Sequence, residues 1–264
     1  RWFSVKFIFM RPKWLRFIGR SMRFYQQSGL QNFLRKIGFM KLLPKNLQEL
    51  EPMTPTIQDA FTDEIVTETE SPVSTKPTYK VGMLSGCVQD IAFSDINRDT
   101  VDVLLANNCE VITPRNQGCC GSLHSHNGEI ELAKDLARKA IDSFDLDKLD
   151  GIISNAGGCG SHLRHYGRLL SDDPQYAKRA HQWDSKVKDI HEWLMSIDLR
   201  ELGPLATPAE ITYHPSCHLY HGQKVMKQPS QLLASIPNVT LKVLKEADWC
   251  CGSAGVYHIT QPEQ

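Results

Sequence analysis

The chain is predicted to be an α/β protein in which two cysteine-bearing βαβ units with mostly parallel sheets, the second truncated, follow a set of short helices. Three observations lead there. From residue 80 onward, short apolar runs alternate with segments of helical period, the pattern of strands joined by crossover helices. A lone cysteine followed by a Cys-Cys-Gly turn occurs twice at constant offset: Cys87 to Cys217 is 130 positions and Cys119 to Cys250 is 131. A repeat that keeps reactive residues in step this closely marks duplicated structural units. Residues 1–45, by contrast, carry eleven Lys or Arg and no acid, interleaved with aromatic residues.

In chain order, residues 1–48 read as a basic helical segment of two or three helices, broken at Gly29 and Pro44. Trp14, Phe17, Ile18, Met22 and Tyr25 fall on one helical face, which predicts packing against another domain outside this chain. The alternative for so basic and aromatic an arm is an anionic membrane surface or an acidic partner. Residues 49–79 form a linker or extended wrap, rich in Pro, Thr and acids. Residues 80–203 make the first repeat unit. Strands are expected over 80–85, 109–113 and 151–154, with helices over 95–107 and 128–144, one from about His162 and one over 187–197. Residues 204–264 make the second, with strands over 210–213 and 239–243.

With 264 residues, 41% of them apolar, there is enough material for ordinary cores. No run of 18 apolar residues is present, so no membrane-spanning helix is expected. The first residues lack both an apolar signal core and a starting Met, and the chain reads as an internal stretch of a longer protein. Formal net charge is zero, and no nucleic-acid partner is expected. Eight cysteines in a chain of this size do not suit a disulfide scaffold, and adjacent Cys-Cys pairs suit it less. A reducing, cytoplasmic setting is expected.

Each repeat cysteine follows a predicted strand on a Gly- or Pro-containing turn. Carboxyl ends of parallel strands line one crevice, so Cys87, Cys119, Cys120 and Cys159 are expected to meet there as metal ligands, with Cys217, Cys250 and Cys251 as their second-repeat counterparts. Gly86, Gly118, Gly121, Gly158 and Gly252 flank them and allow the close backbone approach that a sulfide-bridged cluster needs. Structural zinc sites use short Cys-x₂₋₄-Cys hairpins, which are absent here, so an iron–sulfur cluster is the better reading. Cys109 falls outside the repeat and reads as a buried small hydrophobe. His214, His218 and His221 flank Cys217 with no nucleophile–base spacing, and no catalytic residue is assigned. Residues 157–160 lack the signatures of a phosphate loop.

The arrangement Cys87…Cys119-Cys120-Gly121…Cys159, repeated as Cys217…Cys250-Cys251-Gly252, resembles the CCG cysteine-rich domain shared with heterodisulfide reductase. There the motif continues as Cys-x-x-Cys, whereas this chain has His162 at the last position. The segments SGCVQ (85–89), GCCGSLHSHNGE (118–129), NAGGCGSHLRHYG (155–167), YHPSCHLYHGQKV (213–225) and CCGSAGVYHITQPE (250–263) resemble iron–sulfur subunits of glycolate oxidase, also called glycolate dehydrogenase. That resemblance implies an electron-transfer role with a [4Fe–4S]-type cluster, and FAD held only by partner flavin-binding subunits that oxidise glycolate to glyoxylate. It also implies an upstream ferredoxin-like module on which residues 1–48 dock, and a quinone-linked acceptor, with a peripheral place on the inner membrane. Lactate-utilisation iron–sulfur subunits and disulfide-cleaving reductases are the alternatives within the resemblance.

Overall fold

Helical period and turn chemistry set the order of elements in the computed structural model, which describes residues 4–73, 76–249 and 252. Two compact units are present, Arg1–Ile190 and His191–Gln264. In the first, a π-helical turn at Ser4–Ile8 leads into α1 (Pro12–Gln27), α2 (Leu30–Lys36) and α3 (Lys45–Leu50). Proline at the first position of α1 is pre-set for a helix start. Gly29, at φ +82°, turns the chain in the left-handed region where α1 gives way to α2.

Within this unit α1 packs through Leu15 and Met22, while part of its aromatic face stays open. Leu15 and Met22 pack on the buried cluster of Ile57, Phe61, Ile91 and Ala92, and a Cβ on Gly19 would lie 3.2 Å from the Phe61 ring. Trp14 and Phe17 point outward, 48% and 59% exposed. The reason is electrostatic as well as steric. Arg16, one residue from Leu15, is held inward by the buried carboxylate of Asp90 (Nε–Oδ2 2.9 Å) and the half-buried one of Asp63, which fixes the helix's rotation. The expected linker is an ordered wrap. It contains α4 (Thr62–Ile65) and β1 (Thr69–Glu70), and it buries Ile57, Phe61 and Val66.

From residue 79 the unit alternates as predicted. The elements are β2 (Tyr79–Met83), α5 (Gln89–Ala92), α6 (Ser94–Ala106), β3 (Cys109–Ile112), α7 (Ser122–His126), α8 (Ile130–Asp142), β4 (Gly151–Ser154), α9 (Gly157–Leu163), α10 (Tyr166–Leu169), α11 (Ala177–Lys186) and β5 (Val187–Asp189). The sheet order is β1-β3-β2-β4-β5. Strands β2 to β5 are parallel, with Val81 opposite both Val111 and Gly151, and Ile152 opposite Val187; β1 pairs antiparallel with β3. Both faces of such a sheet are covered, and β4 is accordingly buried along its length. One core forms on the β4 side, where Ile141, Ile152, Leu163, Tyr166, Leu170 and Trp183 are fully enclosed.

Two predicted elements need correcting here. Residues 187–197 are not one helix. Val187–Asp189 is taken by the sheet as its edge strand, and the helix is only α12 (Ile190–Ser196), because pairing with β4 outweighs the local helical pattern. The helix expected from His162 starts earlier, at Gly157, so Cys159 sits within a helix rather than on the turn before it.

The second unit contains β6 (Ala209–Thr212), a π-helical turn at His218–Gly222, α13 (Gln228–Ala234) and β7 (Val239–Lys242). Strands β6 and β7 pair in parallel, Ala209 opposite Val239, across a connection that carries α13. This is one βαβ unit, matching the start of the first repeat. No helix among the described residues is long and apolar enough to cross a membrane.

Candidate metal centre

Three neighbouring strands, β3, β2 and β4, end side by side, and the loops leaving them carry the first repeat's cysteines. Cys87 follows β2, Cys119 and Cys120 follow β3, and Cys159 lies in the first turn of α9 after β4. Two glycines make these turns feasible. Gly86 and Gly121 have φ of +67° and +86°. A Cβ on Gly86 would lie 2.9 Å from Gln89 Cβ, and one on Gly121 3.3 Å from the Ala133 carbonyl oxygen. The Gly121 N–H is thereby free to donate to Cys119 Sγ at 3.5 Å. Gly118 approaches Pro12 of α1 (3.8 Å from its would-be Cβ), and Gly158 lies within α9 beside Cys159.

Side-chain amides that belong to no sequence motif lock the three loops together. Gln117 donates to the Met83 carbonyl (2.9 Å) and accepts from Ser85 N–H (3.0 Å), tying the β3 loop to the β2 loop. Asn97, fully buried on α6, donates to the Ser85 carbonyl (2.9 Å) and to Thr62 Oγ1 (2.8 Å), and its oxygen accepts from Asn155 of the β4 loop (2.9 Å). Tyr166, buried against Trp183 at 5.5 Å between ring centres, donates to the Cys120 carbonyl at 2.7 Å. Polar residues on loops look like ordinary solvated turns in a sequence, so only the fold shows that these face one another.

The four thiols are free and form a row in which Cys87 meets Cys119, Cys119 meets Cys120, and Cys120 meets Cys159. Protons settle unevenly along it. Hydrogen bonds from Cys120 and Cys87 hold Cys119 as a thiolate, and the neighbouring Cys120 also lowers the pKa of Cys159. The donors, Cys87 and Cys120, are pushed well above the ordinary thiol value by that donation and by burial. Among the described residues no group of three or more His, Cys, Asp or Glu is set around a point to hold one metal ion. A row of four thiols, Cys119 buried and the others half-buried, with a cavity of about 30 Å³ beside Cys119, Cys120 and Cys159, suits a multinuclear sulfur-bridged group better than a tetrahedral zinc. On donor chemistry, the site fits an iron–sulfur cluster.

Two histidines flank the row. His124 is fully buried; its Nε2 bonds the Val5 carbonyl at 2.8 Å. Burial alone would lower its pKa, but the Cys119 thiolate outweighs this and raises it. His162 is the opposite case: burial lowers its pKa to about 4, so it is neutral, with its ring edge-on to Tyr166 at 5.7 Å. A second cavity, about 320 Å³, opens beside Cys87 and Cys119 and is lined by Lys13 and Arg16 of α1 with Arg115 and Gln117.

Cys109 is fully buried in β3 and belongs to the core, as expected of a cysteine outside the repeat. The second repeat's expected site residues lie elsewhere. Cys217, in the second unit, is half-buried and precedes the π-helical turn. Its predicted companions Cys250 and Cys251 lie outside the described residues, while Gly252 is exposed with φ +78°. His221, in the same unit, has Nε2 against the Asp248 carbonyl at 3.1 Å.

Comparison with known proteins agrees with this geometry. The family described as "Cysteine-rich domain" (CCG) matches residues 81–164 and 211–264, which covers both repeats. The chain belongs to the CCG family. Residues 1–54 match a second description, "Glycolate oxidase iron-sulfur subunit, linker region". Over 241 residues this CCG chain is 38% identical to the probable glycolate oxidase iron–sulfur subunit of Bacillus subtilis, covering 90% of this chain and 54% of that protein. An uncharacterised iron–sulfur protein of Methanococcus maripaludis is 30% identical over 205 residues, which is 78% of this chain and 37% of that one. Lactate utilization protein A of Shouchella clausii is 30% identical over 183 residues, 69% of this chain and 75% of that protein. The chain thus spans about half the length of its Bacillus relative.

Proposed function

We propose that this chain is the electron-carrying part of an iron–sulfur subunit in a flavin-linked complex that oxidises glycolate to glyoxylate. The observation that carries the reading is the row of four thiols on three amide-locked loops at one end of a parallel sheet. In it Cys87, Cys119, Cys120 and Cys159 hold a [4Fe–4S]-type cluster. Cys217 with Cys250 and Cys251 serves the second repeat in the same way. When bound, the cluster takes up and gives back single electrons. The residues around it fix the thiols and keep water out: Leu84, Phe144 and Leu163 wall the cavity, and Gln117, Asn97 and Asn155 hold the loops in register. No residue of the chain binds the hydroxy acid. Oxidation of the hydroxy acid belongs to partner flavin-binding subunits, which would hold FAD, and the electrons leave toward a quinone-linked acceptor, with the complex in the cytoplasm or peripheral on the inner membrane.

Resemblance to a glycolate oxidase subunit, 38% identical over 90% of this chain, favours glycolate. The match over 75% of a lactate utilization protein makes lactate the second reading. The test is anaerobic mixing of the full-length subunit with its flavin partners and either hydroxy acid, followed by freeze-quench EPR. Glycolate, and not lactate, should generate the reduced-cluster signal. A signal with lactate alone would reassign the substrate, and none with either would remove the electron-relay role.

A further inference from the structure

The larger cavity, about 320 Å³, is of small-ligand size and is walled by the first turns of α1 and the loop that leaves β3. Positive charge faces it. Lys13 and Arg115 both line it, and among the described residues neither pairs with a carboxylate; Arg115 donates only to the Asp63 carbonyl. The 16-residue α1 also begins there, with no acid in its first turn and no side-chain cap, so the positive end of its dipole is uncompensated. Thr113 is the deciding observation. It is buried in the cavity wall, and its hydroxyl has no hydrogen-bond partner within the protein. A buried hydroxyl left unpaired loses hydration with nothing in return unless a ligand or a water meets it.

The rest of the wall narrows the class of ligand. Arg16 is already committed to Asp63 and Asp90, which leaves Lys13 and Arg115 to meet an incoming charge. A phosphate dianion would set its second charge against those carboxylates and the Cys119 thiolate, whereas a carboxylate brings one charge only. Phe9, Leu15 and Val66 give the cavity an apolar side, which suits a carbon body larger than that of glycolate.

We propose that this cavity binds a small monocarboxylate with an apolar body, its carboxylate received by Lys13, Arg115 and the Thr113 hydroxyl. The site stands on the chain's own residues. Cys87 and Cys119 share the cavity, so the bound anion lies beside the cluster and makes its reduction harder; that consequence rests on the iron–sulfur reading above.

The experiment is isothermal titration of the anaerobically purified full-length subunit with benzoate and hexanoate, and with benzamide as the uncharged analogue. At least one of the acids should bind saturably, about tenfold or more tightly than benzamide. Lys13→Gln and Arg115→Gln, both at exposed positions, should each weaken it about tenfold, and the shape-conserving Thr113→Val about threefold or more, with circular dichroism unchanged. No saturable binding of either acid, equal binding of benzamide, or unchanged affinity in Lys13→Gln and Thr113→Val overturns the proposal, whether or not the protein holds iron. In the iron-bound parent, and not in Lys13→Gln, the bound acid should lower the cluster's midpoint potential; an unchanged potential removes the coupling to the cluster. A parent that binds the acid and holds no iron overturns the iron–sulfur reading and leaves the carboxylate site standing.

Discussion

Replacing Gly121 by alanine tests whether the Cys-Cys-Gly turn is fixed by its backbone. Gly121 has φ +86°, so any Cβ there faces the left-handed penalty of roughly 1–2 kcal/mol. The new methyl would also stand 3.3 Å from the Ala133 carbonyl oxygen and 3.4 Å from His162 Nε2, tighter than ordinary contact and against backbone on one side. Overpacking of this kind adds on the order of 1 kcal/mol, at the low end of its usual range. The expected loss is about 2–3 kcal/mol, which for a unit of this size lowers Tm by about 4–12 °C. Gly128 supplies the control. It has φ +79° but nothing within 4 Å of its would-be Cβ, so Gly128→Ala bears the dihedral cost alone. Thermal melting of the two variants and the parent, followed by circular dichroism, gives both numbers. The reasoning is refuted if Gly121→Ala melts with the parent, or if Gly128→Ala falls as far.

The remaining predictions concern the groups that hold the loops and core. Gln117→Ala removes two hydrogen bonds between the β2 and β3 loops, a loss of about 1–3 kcal/mol at ~0.5–1.5 kcal/mol each, read as a shift in the urea midpoint. Tyr166→Phe keeps the ring packing but strips the Cys120 carbonyl of its donor, which should cost about 1–3 kcal/mol and lower reconstituted iron per chain; an unchanged melt would show that water replaces the hydroxyl. Glu70 gives a pH signature. Burial alone would raise its pKa, but Arg98 (2.8 Å) and the Thr67 N–H (2.8 Å) outweigh this and hold it below the ordinary 4.5. A lowered folded-state pKa contributes stability above 4.5 that is lost as pH falls through the folded value. Glu70→Gln should therefore flatten the acid arm of the stability curve and leave the protein weaker than the parent at neutral pH.

Much of the site was legible in the sequence because its parts are local. Strands β2, β3 and β4 announce themselves as short apolar runs, each ending at a Gly-bearing turn, and the repeat offset ties those turns to one another. Parallel pairing then brings Cys87, Cys119, Cys120 and Cys159 to one end. What stayed hidden depends on contacts between distant residues. Val187–Asp189 became a strand because β4 offered an edge, and α1 turned Leu15 inward because Arg16 had Asp90 and Asp63 to meet. Gln117, Asn97 and Asn155 carry no motif, and their role is set by loops up to 58 residues apart. His162 was visible as a departure from a cysteine pattern, but only burial distinguishes an unpaired nitrogen from a surface one.

The central claim is that the first repeat's four thiols hold iron and sulfide, and metal analysis of anaerobically purified protein tests it most directly. Iron and acid-labile sulfide in near-equal amounts, both lost together in a Cys119→Ser, Cys159→Ser double variant that still folds, are the predicted result. Zinc in place of iron, or iron retained in full by that variant, would contradict it.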